Sequence, residues 1–416
     1  MIASYANSRI TRATRPARSV ENRIVNRLRA DAGRTPNYWD FRDNVDDLTS
    51  KTLFHYPAMM VPALQKQVIA AILKTRPGIE TIADPFMGSG TILALAMLSG
   101  RSFVGQDINP LAILIAKTRA YSLDHECLEQ AVARVSSLAK NDHSQHYAIR
   151  FRRQFKCFTR GASIGLSRLR RAILRESDIN TRRFLWVCLA ETIRFSSNSR
   201  MSTYKLHVKP PTKRTATTNS VLRSFAGIAG RNLKIVLDFR SALFEAGRLD
   251  ASGSYARPIT IAYGDTALGF PPVDWEADHK YPLVVTSPPY GDNRTTVPYG
   301  QAAWLPLQWI DFADIDPSIP ADAATRASDV DSRSLGGTRL HDFDLRLAVV
   351  SGAGKRTKRY LTRLAAVSRH GLSRFVHFVY DLRDALDHIS RGSGDDAHNV
   401  LTPGSRNISG TVCPLH

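Results

Sequence analysis

With 416 residues, 43% apolar and 23% charged, the chain has the make-up of an ordinary globular protein, long enough for one large domain with an insertion or for two domains. A formal net charge of +20 and a pI near 10.1 point to a polyanionic partner. Four cysteines (Cys127, Cys157, Cys188, Cys413) without Cys-x-x-Cys spacing or paired histidines argue against a disulfide frame or a zinc site. They read as reduced thiols of a cytoplasmic protein, and no apolar run approaches the length of a bilayer span.

Residues 1–50 read as a basic N-terminal arm and anchor. Arg9, Arg12, Arg15 and Arg18 come without the apolar core of a secretory signal. A disordered basic arm is a simpler reading than an organellar transit peptide. Glu21 to Leu28 suits a short helix, and Asn37-Tyr38-Trp39-Asp40-Phe41 an aromatic anchor onto the domain.

Residues 51–120 carry the first half of a Rossmann-like unit. Phe54-His55-Tyr56-Pro57-Ala58 leads to Pro62, which opens a helix with Leu64, Val68, Ile69 and Ile72 on one face. A strand at Thr81-Ile82-Ala83 then runs into Asp84-Pro85-Phe86-Met87-Gly88-Ser89-Gly90 and an apolar helix from Thr91 to Leu98. Glycines there let a ligand approach the backbone, and an acidic residue at the strand tip suits a cationic ligand over a pyrophosphate. Ser102-Phe103-Val104-Gly105 is the second strand. It ends at Asp107, placed either to take two ribose hydroxyls or to cap the helix from Leu111 to Ala120.

Residues 121–255 interrupt the alternation with a mostly helical pattern. Between residues 150 and 240 stand 21 Lys and Arg against 4 Asp and Glu, an excess of 17 in one block. This insertion is expected to recognise the target, and Asn198 and Lys205 are its candidate nucleic-acid contacts. Helices are predicted near Ala148–Arg175, Phe184–Ile193 and Asn219–Phe244, with an exposed loop over Lys209–Thr218.

Residues 256–391 resume the alternation. Ile259-Thr260-Ile261-Ala262 leads to Asp265, at another strand tip and able to accept an adenine amino group. The strand Tyr281–Val285 must stop at Ser287, because Pro288 and Pro289 cannot donate to a sheet ladder. Ser287-Pro288-Pro289-Tyr290 is then a stiff loop beyond a strand's carboxyl end, with carbonyls to accept from a planar amine and an aromatic ring beside them. The ordinary alternative is a rigid turn or a proline-rich ligand. Gly291 to Gly300 is long and polar enough for a lid; Arg294 within it is a candidate phosphate or base contact, unless it pairs with Asp292. Residues 311 to 345 read as an exposed, Asp-rich connection, Arg356–Ala366 and Arg374–Ile389 as amphipathic helices, and 392–416 as a weakly ordered tail.

Together these pieces resemble the DNA amino-methyltransferases of bacterial restriction-modification systems, which methylate cytosine N4 or adenine N6. Asp84-Pro85-Phe86-Met87-Gly88-Ser89-Gly90 is similar to their cofactor loop, and Thr286-Ser287-Pro288-Pro289-Tyr290 to their catalytic motif, in the serine form associated more with N4-cytosine. Ser405-Arg406-Asn407-Ile408-Ser409-Gly410 resembles a late-strand motif, after which related chains continue into another helix and strand. The resemblance implies an α/β, Rossmann-like S-adenosylmethionine-dependent methyltransferase sheet with a large basic, mostly helical insertion. It implies S-adenosylmethionine held by Tyr56, Asp84, Pro85, Phe86, Gly88, Ser89, Gly90, Asp107 and Asp265. Ser287, Pro288, Pro289 and Tyr290 would act on a base flipped out of double-stranded DNA, and a cognate restriction endonuclease is the companion such systems use. Two rival readings stay open: a same-fold methyltransferase of RNA or of protein glutamine, and a truncated, inactive nucleic-acid-binding remnant.

Overall fold

In the computed structural model of the protein, residues 15–33, 39, 41, 48–121, 125–201, 205–270, 280–291, 296–337, 342–404 and 407–413 are described. The chain begins with α1 (Arg15–Ala32) and α2 (Pro62–Thr75), which pack on each other. It then alternates through β1 (Thr81–Asp84), α3 (Thr91–Leu98), β2 (Ser102–Asp107) and α4 (Pro110–Ala120). The insertion follows as α5 (His125–Asn141), α6 (Gln154–Cys157), α7 (Arg160–Ile173), α8 (Ile179–Ser196) and α9 (Thr218–Glu245). After it come β3 (Ile259–Tyr263), β4 (Tyr281–Thr286), α10 (Tyr299–Leu307), α11 (Phe312–Ile315), α12 (Asp329–Arg333), α13 (Phe343–Ser351), α14 (Lys355–Val367) and α15 (Arg369–Gly392). Three strands close the described chain: β5 (Ser393–Leu401), β6 (Asn407–Ile408) and β7 (Thr411–Val412).

The main sheet has five parallel strands in the order β3-β2-β1-β4-β5. Its runs Ile82-Ala83 and Leu283-Val284-Val285 are buried, as strands covered on both faces must be. The chain goes outward from β1 to β2 and β3, then returns to place β4 on the other side of β1. The β1–β4 boundary is therefore the switch point at which doubly wound sheets open a crevice beyond their carboxyl ends. Ala83 pairs with Val284, so the loops leaving the two strands start side by side.

The insertion shares the core of the sheet layer. From Thr91 to Met97 and from Pro110 to Thr118 every residue is buried, which requires a layer on the far side of α3 and α4. That layer is α8, whose Phe184, Trp186 and Leu189 join Leu114, Phe103 and Ile82 in one continuous apolar cluster. Helices α5, α7 and α9 complete a bundle around it. The boundary at residue 120 is thus a change of composition, with no break in packing.

Two expectations are corrected. The stretch 311–345 is not an exposed connection: Ile315, Ile319, Ala323, Val330 and Asp331 are buried. Asp314 faces the basic insertion and Asp316 faces Lys117 of α4, while Asp322 stays exposed. Asp314 accepts 2.9 and 2.8 Å hydrogen bonds from Arg182 and one of 2.7 Å from Trp186, and Lys117 reaches Asp316 at 2.6 Å. Nor is the first part of the tail weakly ordered, since Ser393–Leu401 forms the sheet edge beside β4. Its composition, Ser-Gly-Asp-Asp-Ala-His-Asn, lacks strand character because an edge strand borrows its ladder from one neighbour and keeps its charges in solvent. Of the expected late-strand motif, Ser405 and Arg406 lie outside the described residues. Asn407 and Ile408 pair with Thr411 and Val412 in a separate antiparallel hairpin and do not enter the main sheet.

Candidate active site

Beyond the carboxyl ends of β1, β2, β3 and β4 lies a cavity of about 810 Å³, open solvent at its mouth included. Tyr56, Pro85, Phe86, Gly88, Ser89, Asp107, Asp265, Ser287 and Pro289 line it. The two loops, some two hundred residues apart in sequence, therefore meet in one pocket. Asp84, Gly90, Pro288 and Tyr290 do not form its wall, and each has a different position.

Asp84 sits behind the wall, fully buried. One carboxylate oxygen accepts from the Thr286 hydroxyl at 2.6 Å and from the Phe86 N–H at 3.1 Å; the other oxygen has no partner. Thr286 immediately precedes Ser287, so this bond ties the tip of β1 to the tip of β4. Burial pushes the Asp84 carboxyl up to about 7. Gly90, at φ +81°, begins α3, and Gly88, at φ +53°, lets the turn pass under Tyr56.

Asp107 is held at both oxygens by the backbone: Gly88 donates at 2.8 Å and Asn109 at 2.8 Å. Each oxygen keeps lone-pair capacity for a ligand hydroxyl. The predicted cap of α4 falls instead to Asn109, whose side chain accepts from the Leu111 N–H at 3.1 Å. The Asn109 amide also donates to the Tyr56 hydroxyl at 2.9 Å, and the Tyr56 ring lies 5.6 Å from that of Tyr299. Burial raises the Asp107 carboxyl to about 6, and it raises Asp265 and the Tyr56 hydroxyl as well. A site with carboxyls pressed toward neutrality by burial, an aromatic wall and a glycine turn fits a cationic nucleoside and suits a polyphosphate poorly.

The Ser-Pro-Pro-Tyr loop rests on the residues that follow β5. The Ser287 hydroxyl donates to the Thr402 carbonyl at 2.9 Å and lies 3.4 Å from the Tyr290 hydroxyl. With its single proton directed there, Ser287 faces the pocket as an acceptor. Thr402 in turn donates its N–H to the Thr286 carbonyl at 2.9 Å, and its hydroxyl accepts from Gln65 at 3.0 Å. Gly404 lies flat under the Tyr290 ring: a Cβ there would stand 2.5 Å from ring carbon Cγ. One face of Tyr290 is thereby fixed.

Of the candidate nucleic-acid contacts, Asn198 is corrected. It is 3% exposed and its amide donates to the Lys156 carbonyl at 3.2 Å, so it braces the loop after α8. Lys205 is exposed and lines a second cavity. Arg294 and Asp292 lie outside the described residues. The residues that sequence reasoning missed are Thr286, Asn109, Tyr299, Thr402 and Gly404. Thr286 and Asn109 adjoin motifs and were within reach, whereas nothing in the local sequence marks Thr402 or Gly404.

Comparison with known proteins agrees with this geometry. Residues 8–118 match the N6/N4 methyltransferase family, described as DNA methylase. The chain is 29% identical over 327 residues, 76% of its length and 68% of the relative's, to the Type II methyltransferase M.MvaI of Kocuria varians. No solved structure gives a significant match. The fold and site define a Rossmann-like methyltransferase. More narrowly, the matched stretches are similar to DNA amino-methyltransferases of restriction-modification type. Among the described residues, no helix is long and apolar enough to cross a membrane.

Proposed function

We propose that the protein is a site-specific methyltransferase of double-stranded DNA that favours cytosine N4 over adenine N6. The observation that carries this reading is the Asp84–Thr286 bond of 2.6 Å, which sets the cofactor loop and the Ser-Pro-Pro-Tyr loop against one cavity. S-adenosylmethionine supplies an electrophilic methyl when bound. Asp107 would hold its ribose hydroxyls, Asp265 its adenine amine, and the glycine turn at Gly88 its amino-acid end.

The target nitrogen is a weak nucleophile because its lone pair is delocalised into the base. The Ser287 hydroxyl, made an acceptor by Thr402, and the Pro288 carbonyl accept its two hydrogens and favour a tetrahedral nitrogen. The free face of Tyr290 stacks on the base, a contact worth about 1–3 kcal/mol. A base inside a duplex cannot reach this loop, so it is everted, at a cost of a few kcal/mol. Transfer would be direct, the nitrogen–carbon bond forming as the sulfonium–carbon bond breaks and the surplus proton of the nitrogen passing to solvent, and alignment of the reacting atoms would supply much of the rate. The serine form of the motif supports the cytosine preference.

Nucleoside mass spectrometry of DNA incubated with the protein and S-adenosylmethionine tests the reading: N4-methylcytosine is expected. Ser287→Ala is expected to lower incorporation by about a hundredfold or more, the scale of losing a positioned polar group in an active site, with cofactor affinity unchanged. No methylated nucleoside from the unaltered protein on DNA of diverse sequence would sink it.

A further inference from the structure

One wall of the cavity comes from a stretch without any motif. Tyr299 of α10, Val330 of α12, and Ser334 and Leu335 just after α12 all line it. The Gly300 N–H donates to the buried Asp331 at 2.8 Å, which ties the start of α10 to α12. Leu335 is buried and shares an apolar cluster with Phe378 and Ala385 of α15, against which Phe86 and Ala267 pack. The Ala267 N–H in turn donates to Asp265 at 2.9 Å. Leu335 therefore stands at the Asp265 end of the cavity.

The turn that follows Leu335 is clamped from behind by α15. The Gly336 N–H donates to one carboxylate oxygen of Asp381 at 2.8 Å. No side chain fits at Gly336, where a Cβ would lie 2.8 Å from the α-carbon of Phe378, so the turn lies directly on the helix. The other Asp381 oxygen accepts from Arg346 at 2.6 Å. That guanidinium is buried, donates to both oxygens of Asp342 at 3.1 Å and lies over the Tyr380 ring at 4.4 Å. Asp381 is thus held rigidly outside the cavity, with a backbone donor on one oxygen and a fixed cation on the other. Burial raises the Asp265 carboxyl and the Asp381 charge adds to the rise, which places the two carboxylates near each other across the wall.

We propose that Asp381 is a positioning residue for the cofactor, holding Leu335 through Gly336 against the nucleoside end of S-adenosylmethionine. The inference rests on the reading that puts the adenine at Asp265. A leucine on an unanchored turn would have to be ordered by the ligand, and binding would be weakened by that cost. A hydrogen bond to a carboxylate is stronger than one to a neutral acceptor, and Arg346 offsets the charge it brings. The C-terminal helices α13 and α15, which contribute nothing to the cavity lining, thereby set its shape.

The test is calorimetric titration of S-adenosylhomocysteine into the full chain and the variants Asp381→Asn, Leu335→Ala, their double variant and, as control, Asp387→Ala, exposed on the same helix. Asparagine has the shape of aspartate but a single acceptor oxygen, so it serves Gly336 or Arg346 and not both. Asp381→Asn and Leu335→Ala are each expected to weaken binding about tenfold, and the double variant to lose no more than about twofold beyond the weaker single one, because both act on one contact. The control affinity is expected to stay as it is. For Asp381→Asn the KM for S-adenosylmethionine is expected to rise by the same factor, with kcat at saturating cofactor unchanged. A lowered Tm with unaltered affinity in Asp381→Asn, or losses that multiply in the double variant, overturns the positioning role and leaves the cofactor reading standing. Absence of binding by the unaltered protein overturns both.

Discussion

At the scale of single residues, the Tyr290 ring depends on the absence of one carbon atom. A methyl at Gly404 would enter the ring's own space, at 2.5 Å from Cγ, against a partner anchored in a proline loop. Gly404→Ala is therefore expected to tilt Tyr290 and to lower kcat about tenfold or more, with S-adenosylmethionine affinity unchanged, because Gly404 does not line the cavity. Steady-state kinetics beside calorimetric cofactor titration separates the two effects. Asp84 and Asp107 make a second prediction. Burial raises their carboxyls to about 7 and about 6 from ordinary values near 3.8, so between those limits the folded chain holds protons that the unfolded chain has released. The unliganded protein is thus most stable below about pH 4 as far as these two groups are concerned, and loses that contribution as pH rises through 6 and 7. A cationic cofactor favours the ionised carboxyls. The rise in Tm on adding S-adenosylmethionine is accordingly expected to grow from pH 5.5 to pH 8. An increment independent of pH would contradict the assignment of the cofactor to this pocket.

At the scale of elements, the segment after α10 holds the insertion to the sheet through Asp314. Arg182 and Trp186 both donate to its carboxylate, and Arg183 donates to its carbonyl at 2.8 Å. Asp314→Ala leaves a largely buried guanidinium and an indole N–H without their acceptor. It is expected to cost about 2–4 kcal/mol, read from the midpoint of urea unfolding. This connection also shows where sequence reasoning failed. A run with many aspartates is hydrophilic by composition, and burial came from complementary charge contributed over a hundred residues earlier. β5 failed for a related reason. Its residues have no strand preference of their own, and only the ladder offered by β4 makes them a strand. By contrast, β1, β2, β3, β4 and the helices α3, α4, α8 and α9 were legible, because their apolar runs and turn residues act locally.

At the scale of the whole molecule, the two motifs were legible individually, and so was their need to meet; how they meet was not. The Asp84–Thr286 tie, the Thr402 carbonyl beneath Ser287 and the Gly404 shelf join positions 114 to 202 residues apart, and the last two follow a strand with no motif. The basic block, read from composition as one surface for nucleic acid, divides in the structure. Arg171, Arg182 and Arg194 are committed to Asp142, Asp314 and Glu191, and other cations, Arg200 among them, remain available to an anion. Net charge therefore overstates the contact surface, because part of it neutralises the protein's own carboxylates.

The position of Thr402 and Gly404 so late in the chain has a consequence for biosynthesis. A nascent polypeptide that has cleared the ribosome up to residue 300 already carries both reactive loops, yet Ser287 lacks its acceptor carbonyl and Tyr290 its floor. If Ser287 and Tyr290 act as proposed, methyl transfer is expected only once translation has passed Gly404, and copies ending before it are expected to be inactive.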